Sequence, residues 1–217
     1  MSRSEPTAIT SLEDPRFTGH AEVERVAEVH LHLRSRLERA LEAVVLTEEG
    51  RQFLSTDAAT YRQYWEQTYG DRYFDMGTLQ RLATAVESGL RHYHRAVAGA
   101  ERGHQVATTD RGIFQQLVHP AKLLKLYQDD CGYDLSSNPG WPRMRELVVH
   151  RHLYAHRSGL VDDLYINDFR EVRGEDLLPQ IASSGYPDEE VLWFSPLKQL
   201  GLFIEDVRLF FRHLPAH

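Results

Sequence analysis

The chain has 217 residues and a formal net charge of −7. That length suits one domain able to bury roughly 70% of its unfolded surface, so no disulfide or metal staple is required. The acidity excludes a globally basic nucleic-acid binder, and the single cysteine, Cys131, excludes an internal disulfide.

The opening residues, MSRSEPTAITSLEDPR, hold no apolar core of a signal peptide, and no apolar run in the chain approaches a membrane span. The expectation is a cytoplasmic protein without a membrane partner. Residues 1–20 are polar, with Pro6, Pro15 and Gly19, and read as a flexible arm. Residues 21–217 read as one helical domain.

From Ala21, residues Val26, Val29, Leu33, Leu37, Ala40, Leu41 and Val44 recur at spacings of three and four and predict a long helix. Arg25, Glu28, Arg36 and Arg39 decorate its outer side. Ser55, Thr56 and Asp57 mark the start of a second helix, rich in tyrosine, that runs to Gly70. A third begins near Gly77-Thr78 and carries the stripe Leu79, Leu82, Val86, Leu90, Tyr93 and Val97. Residues 99–110 read as a linker. In 111–131 Pro120 either starts a helix or kinks one, and Gly132 stops the segment. Cys131 follows Asp129 and Asp130, which disfavour a thiolate, and reads as a small buried hydrophobe. Trp141 to about Ser158 is the next helix, ended by Gly159. Residues 160–190 read as loop with a short strand around 164–169, and a last helix runs from about Pro196 to His213. The fold class is all-α: an up-and-down bundle of about five or six helices with peripheral loops.

The helix WPRMRELVVHRHLYAHR carries the chemistry. At about 100° per residue, Met144, Leu147, Val148 and Tyr154 fall within roughly 60° of Arg151, and Val149 and Leu153 fall roughly opposite. The helix is therefore apolar on two sides, and a dimer contact is one explanation for the second. Arg151 sits inside an apolar stripe and needs a partner, either a core carboxylate or a phosphate. His152 and His156 share a face at i, i+4, and Arg145 falls in the same arc. With Arg143, Arg145, Arg151 and Arg157 against Glu146, the stretch 141–161 is a local basic patch. Arg145 and Arg157 are its candidate substrate-binding residues. A cleft so lined suits RNA cleavage without a metal. A histidine near neutral pKa removes the 2′-hydroxyl proton or protonates the leaving oxygen, and an arginine stabilises charge on the phosphorus oxygens. The same pattern also fits a surface histidine pair beside a structural arginine.

The segment RHLYAHRSGLVD resembles the signature of the HEPN superfamily, helical domains common in bacterial defence and toxin systems. That signature is an arginine, four to six residues, and a histidine, usually with a polar residue after the arginine. Arg151, His156 and His152 stand at those places, and Gly159 to Asp162 resemble the exit that often follows. The likeness is strongest over 111–163. It implies a metal-independent endoribonuclease of a toxin or abortive-infection system, active as a homodimer whose two Arg–His pairs share one cleft. Arg151 and His156 would be catalytic, with His152 in support, and the products would carry 2′,3′-cyclic phosphate ends. The implied partners are RNA, a second copy, and an antitoxin or sensor protein; no cofactor is implied. Arg157 stands where relatives often have asparagine. Ser158 stands where one toxin branch has the tyrosine that its antitoxin modifies, so that regulation is not implied.

Two other classes compete. A metal site would draw on His30/His32, His92/His94 or His150/His152/His156, but only His152 and His156 have chelating spacing on one helix, and no HExxH occurs. A non-catalytic module that binds RNA, a nucleotide or a partner would use the same Arg–His pair for recognition. Neither GxxxxGK[ST] nor GxGxxG is present to hold a nucleotide.

Overall fold

The computed structural model describes residues 8–46, 70–110, 112–157, 159–183, 192–193 and 199–216. These form eight α-helices with one minimal strand pair: α1 (Phe17–Leu46), α2 (Gly70–Ala98), α3 (Ala100–Thr109), α4 (Ala121–Cys131), α5 (Trp141–Arg157), β1 (Leu160–Val161), α6 (Asp163–Arg173), α7 (Leu178–Ser183), β2 (Leu192–Trp193) and α8 (Leu200–Arg212). Short 3₁₀ turns at Ile113–Gln115 and Leu135–Ser137 link α3 to α4 and α4 to α5. The chain is all-α in class. Among the described residues no helix is long and apolar enough to cross a membrane. The expected helix from Ser55 to Gly70 lies outside the described residues, apart from Gly70 itself.

Helix α2 is the spine. Its stripe Leu79, Leu82, Val86, Leu90 and Tyr93 is fully buried, and it packs against α1, α3, α4, α5 and α8. It starts at Gly70, seven residues before the glycine expected to open it. Backbones come closest where α1 crosses α2. A Cβ on either Gly19 or Gly89 would strike the other glycine and the Phe211 ring from α8.

Helix α5 packs against α2, α6 and α8. Both of its apolar sides are used inside the chain: Met144, Leu147, Val148 and Tyr154 on one, Val149 and Leu153 on the other, all buried. The second stripe is therefore not available as a dimer contact; α6 and α8, docking in addition to α2, account for it. Gly159, at φ 95°, takes the left-handed turn that ends α5, and its N–H reaches Leu153 O. The chain then enters β1, which pairs antiparallel with β2, Leu160 opposite Trp193.

Four expectations change. The N-terminal arm is not loose throughout: Arg16 is only 2% exposed, gripping Asp14 and donating to the carbonyls of Arg212 and Leu214, and α1 begins at Phe17. Among the described side chains of α1, Gly19, Val23, Ala27 and His30 are buried and Val26 is partly so, while Val29 and Leu33 stand 47% and 42% exposed; Leu37, Ala40, Leu41 and Val44 lie outside the described side chains. Over its first half the stripe is displaced, because α2 meets α1 on its glycine and alanine side. Residues 99–110 are mostly helix, not linker. Gly99, at φ 93°, turns the chain at once, and α3 docks through Gly103 and Val106, too few apolar residues to show a period. Residues 164–169 lie in a helix, not a strand. The Asp162 carboxylate accepts the Tyr165 N–H at 2.9 Å, and Tyr165, Phe169 and Val172 face the core at helical spacing. Pro120 immediately precedes α4, so it starts a helix and does not kink one.

Candidate active site on helix α5

Helix α5 begins where Asn138 clamps the turn: its side chain accepts from Gly140 N and donates to Phe210 O. The N-terminal half of α5 is then saturated with partners. Arg143 donates to Asp206 at 2.7 Å and to Glu146 at 2.6 Å, and lies over the Phe203 ring. Arg145 donates to the carbonyls of Leu117 and Val118 and reaches Glu171. His150 is fully buried against Tyr165, Phe169 and Phe203, with Nδ1 2.7 Å from the Tyr165 hydroxyl and Nε2 3.4 Å from Glu146. Arg173 adds a second guanidinium to Glu146 at 3.2 Å. Burial works to raise the Glu146 carboxyl, but the hydrogen bond and charge of His150, with Arg143, reverse this and hold it below its ordinary value. Burial dominates at His150 and lowers it despite Glu146.

The last two turns differ. Arg151 keeps 23% of its side chain exposed, and its Nη2 lies 3.5 Å from Oε1 of Glu87 on α2. Glu87 is almost fully buried, and its Oε1 has no hydrogen bond. Burial raises the Glu87 carboxyl; Arg151, Arg91 and the Gln115 side chain oppose that rise. His152 is half-buried and its pKa is lowered, first by burial and then by the Arg151 and His156 charges. His156 is exposed, its ring centroid 6.1 Å from that of His152.

Arg151, His152 and His156 thus lie together at one end of α5. Arg145, grouped with them by helical phase, is turned onto the 117–118 backbone two turns earlier. His150 faces inward, away from the other two histidines. Arg157 closes the helix, and its side chain lies outside the described ones. The other histidine pairs divide as helical phase requires. His30 is buried against Thr78 and Phe74, and His94 against Asp130, while His32 and His92 face solvent. Cys131 is buried, its thiol pushed up to about 12 by burial and then by Asp130. Among the described residues no group of three His, Cys, Asp or Glu could hold a metal ion.

Glu87 is the carboxylate that an arginine in an apolar stripe calls for, and the sequence alone does not single it out among the acids of the chain. The available signal was an acid amid the α2 stripe, between Val86 and Leu90. Comparison of the chain with protein-family models, with curated proteins and with solved structures finds no match.

Proposed function

We propose that this chain is a metal-independent endoribonuclease on a helical bundle of the HEPN type, acting in the cytoplasm within a toxin or phage-defence system. The observation that carries the reading is that Arg151, His152 and His156 cluster at one end of α5, at the surface, with a buried carboxylate behind the arginine. In this reaction a base removes the 2′-hydroxyl proton and the 2′-oxygen attacks phosphorus. The P–O5′ bond breaks, and an acid returns a proton to O5′. The products are a 2′,3′-cyclic phosphate and a 5′-hydroxyl. His156 exchanges the protons, His152 supports it, and Arg151 neutralises the phosphorane oxygens. A second copy supplies the second Arg151–His156 pair across a two-fold axis. Leu160 and Leu164, both exposed and just beyond α5 in the chain, give that contact an apolar rim.

One observation favours a second reading. Glu87 already partners Arg151, which suits an arginine that holds a phosphate without cleaving it. The two readings separate in one experiment. Wild type, Arg151→Ala and His156→Ala are incubated with total RNA in excess chelator. The nuclease reading requires cleavage by wild type alone. Intact RNA retained by wild type and His156→Ala but not by Arg151→Ala selects the binding module; equal cleavage by all three removes both.

A further inference from the structure

The exposed face of α2 beside Arg151 carries cations and no carboxylate. From position 81 to 96 its exposed residues are Arg81, Thr84, Arg91, His92, Arg95 and Ala96. Taking Glu87 as zero on the wheel, the three arginines and His92 fall between roughly 40° and 140°, one arc about 21 Å long from Arg81 to Arg95. The chain as a whole is acidic at −7, so a carboxylate-free arc runs against its composition.

Two of these arginines are held in place by the fold. The Arg91 guanidinium lies 5.7 Å from the centroid of the buried Phe114 ring. The Arg95 stem packs against Gly103 of α3, where even a Cβ would collide with it. Neither they nor Arg81 make an ion pair among the described residues, whereas Arg16, Arg34, Arg102, Arg143, Arg145, Arg173 and Arg208 do pair or bond to carbonyls. The neighbouring acids are engaged: Glu22 of α1 takes the Ser88 hydroxyl, and Glu87 faces Arg151. On α1 the exposed arginines are interleaved with glutamates, as in Glu24-Arg25 and Glu28. The α2 arc has no such interleaving. Cations that make no ion pair among the described residues, set on one arc, fit a chain of phosphates.

We propose that Arg81, Arg91 and Arg95 form a phosphate track for single-stranded RNA, continuous with Arg151 through the Glu87 contact. The proposal rests on RNA being the ligand of the α5 site, as argued above, but not on its being cleaved. A single strand is the form that fits: its backbone can follow the arc, and its 2′-oxygen can align with the scissile phosphorus.

The test uses full-length His156→Ala protein, so that cleavage cannot consume the probe, with fluorescein-labelled oligouridine followed by polarisation over a salt series. Adding Arg81→Glu, Arg91→Glu and Arg95→Glu should weaken binding on the order of 100-fold and reduce the slope of log affinity against log salt by roughly 2, at about 0.7 per phosphate contact. The matching triple on α1, Arg25→Glu, Arg36→Glu and Arg39→Glu, changes net charge equally and should leave the slope unchanged. If the α2 reversal disturbs folding, the glutamine triple at the same sites should lower the slope alike. Equal losses from both triples, an unchanged slope in the α2 variants, or no binding by the parent would overturn the track. Wild type that binds through the track but never cleaves leaves the track standing and ends the nuclease reading. Cleavage with binding indifferent to α2 does the reverse.

Discussion

Helix α5 uses arginine and histidine twice, to opposite effect. In its first half Arg143, Arg145 and His150 are surrounded by groups that satisfy them: Asp206, Glu146, two backbone carbonyls and the Tyr165 hydroxyl. In its last turns, among the described residues, Arg151 faces Glu87 at 3.5 Å, and His152 lies beside the exposed His156. A residue held by carboxylates and backbone carbonyls in a largely buried setting is fixed and cannot trade partners without stranding a charge. A residue with spare donors at the surface can exchange water for a phosphate at little cost. Residue type does not separate the two halves of this helix; the inventory of partners does.

That contrast predicts opposite phenotypes from the two halves. His156→Ala should lower RNA cleavage by about 10²–10⁴-fold, the span of a lost general acid or base, with no shift in melting temperature. Single-turnover cleavage beside a thermal melt reads both. Glu146→Ala strands Arg143, Arg173 and His150 together and should cost about 3–5 kcal/mol in urea unfolding. A variant that unfolds like wild type would break the comparison at its buried end.

Arg145→Ala sharpens the boundary between the halves, because helical phase placed this arginine with the site and the fold placed it on the 117–118 turn. It should cost about 1.5–3 kcal/mol, as for hydrogen bonds to a charged group, and leave RNA affinity unchanged. Loss of affinity at full stability would return Arg145 to the substrate.

The smallest effect is in pH. His150 and His152 are both lowered from 6.5, so the unfolded chain binds more protons than the native one as the medium is acidified. Their contribution to stability is present above 6.5 and is lost as pH falls toward their depressed values. Glu146, held below 4.5, extends the same loss into more acidic solution. Melting temperature should therefore fall on acidification from pH 7, and His150→Gln should flatten that limb, as differential scanning fluorimetry over a pH series would record.

The sequence made some elements legible and hid others for physical reasons. The α2 stripe from Leu79 to Tyr93 and the limits of α5 at Trp141 and Gly159 were readable because they are long, periodic and capped. Helices α3 and α6 were not, since short helices owe their stability to docking more than to their own period. Over its first half the α1 stripe is displaced because apolar residues occur on several of its faces, and only the close approach of Gly19 to Gly89 decides which one is covered. At the site, Arg151, His152 and His156 could be grouped because i, i+4 spacing is local geometry. Glu87 could not be paired with Arg151, because that contact spans two helices and depends on their packing.

The most direct measurement is the 3′ end left on RNA cut in excess chelator, compared between wild type and His156→Ala at matched folded fraction. A 2′,3′-cyclic phosphate from wild type and intact RNA from the variant is the predicted result. A 3′-hydroxyl end, or equal cutting by both proteins, would contradict the assignment of chemistry to the exposed end of α5.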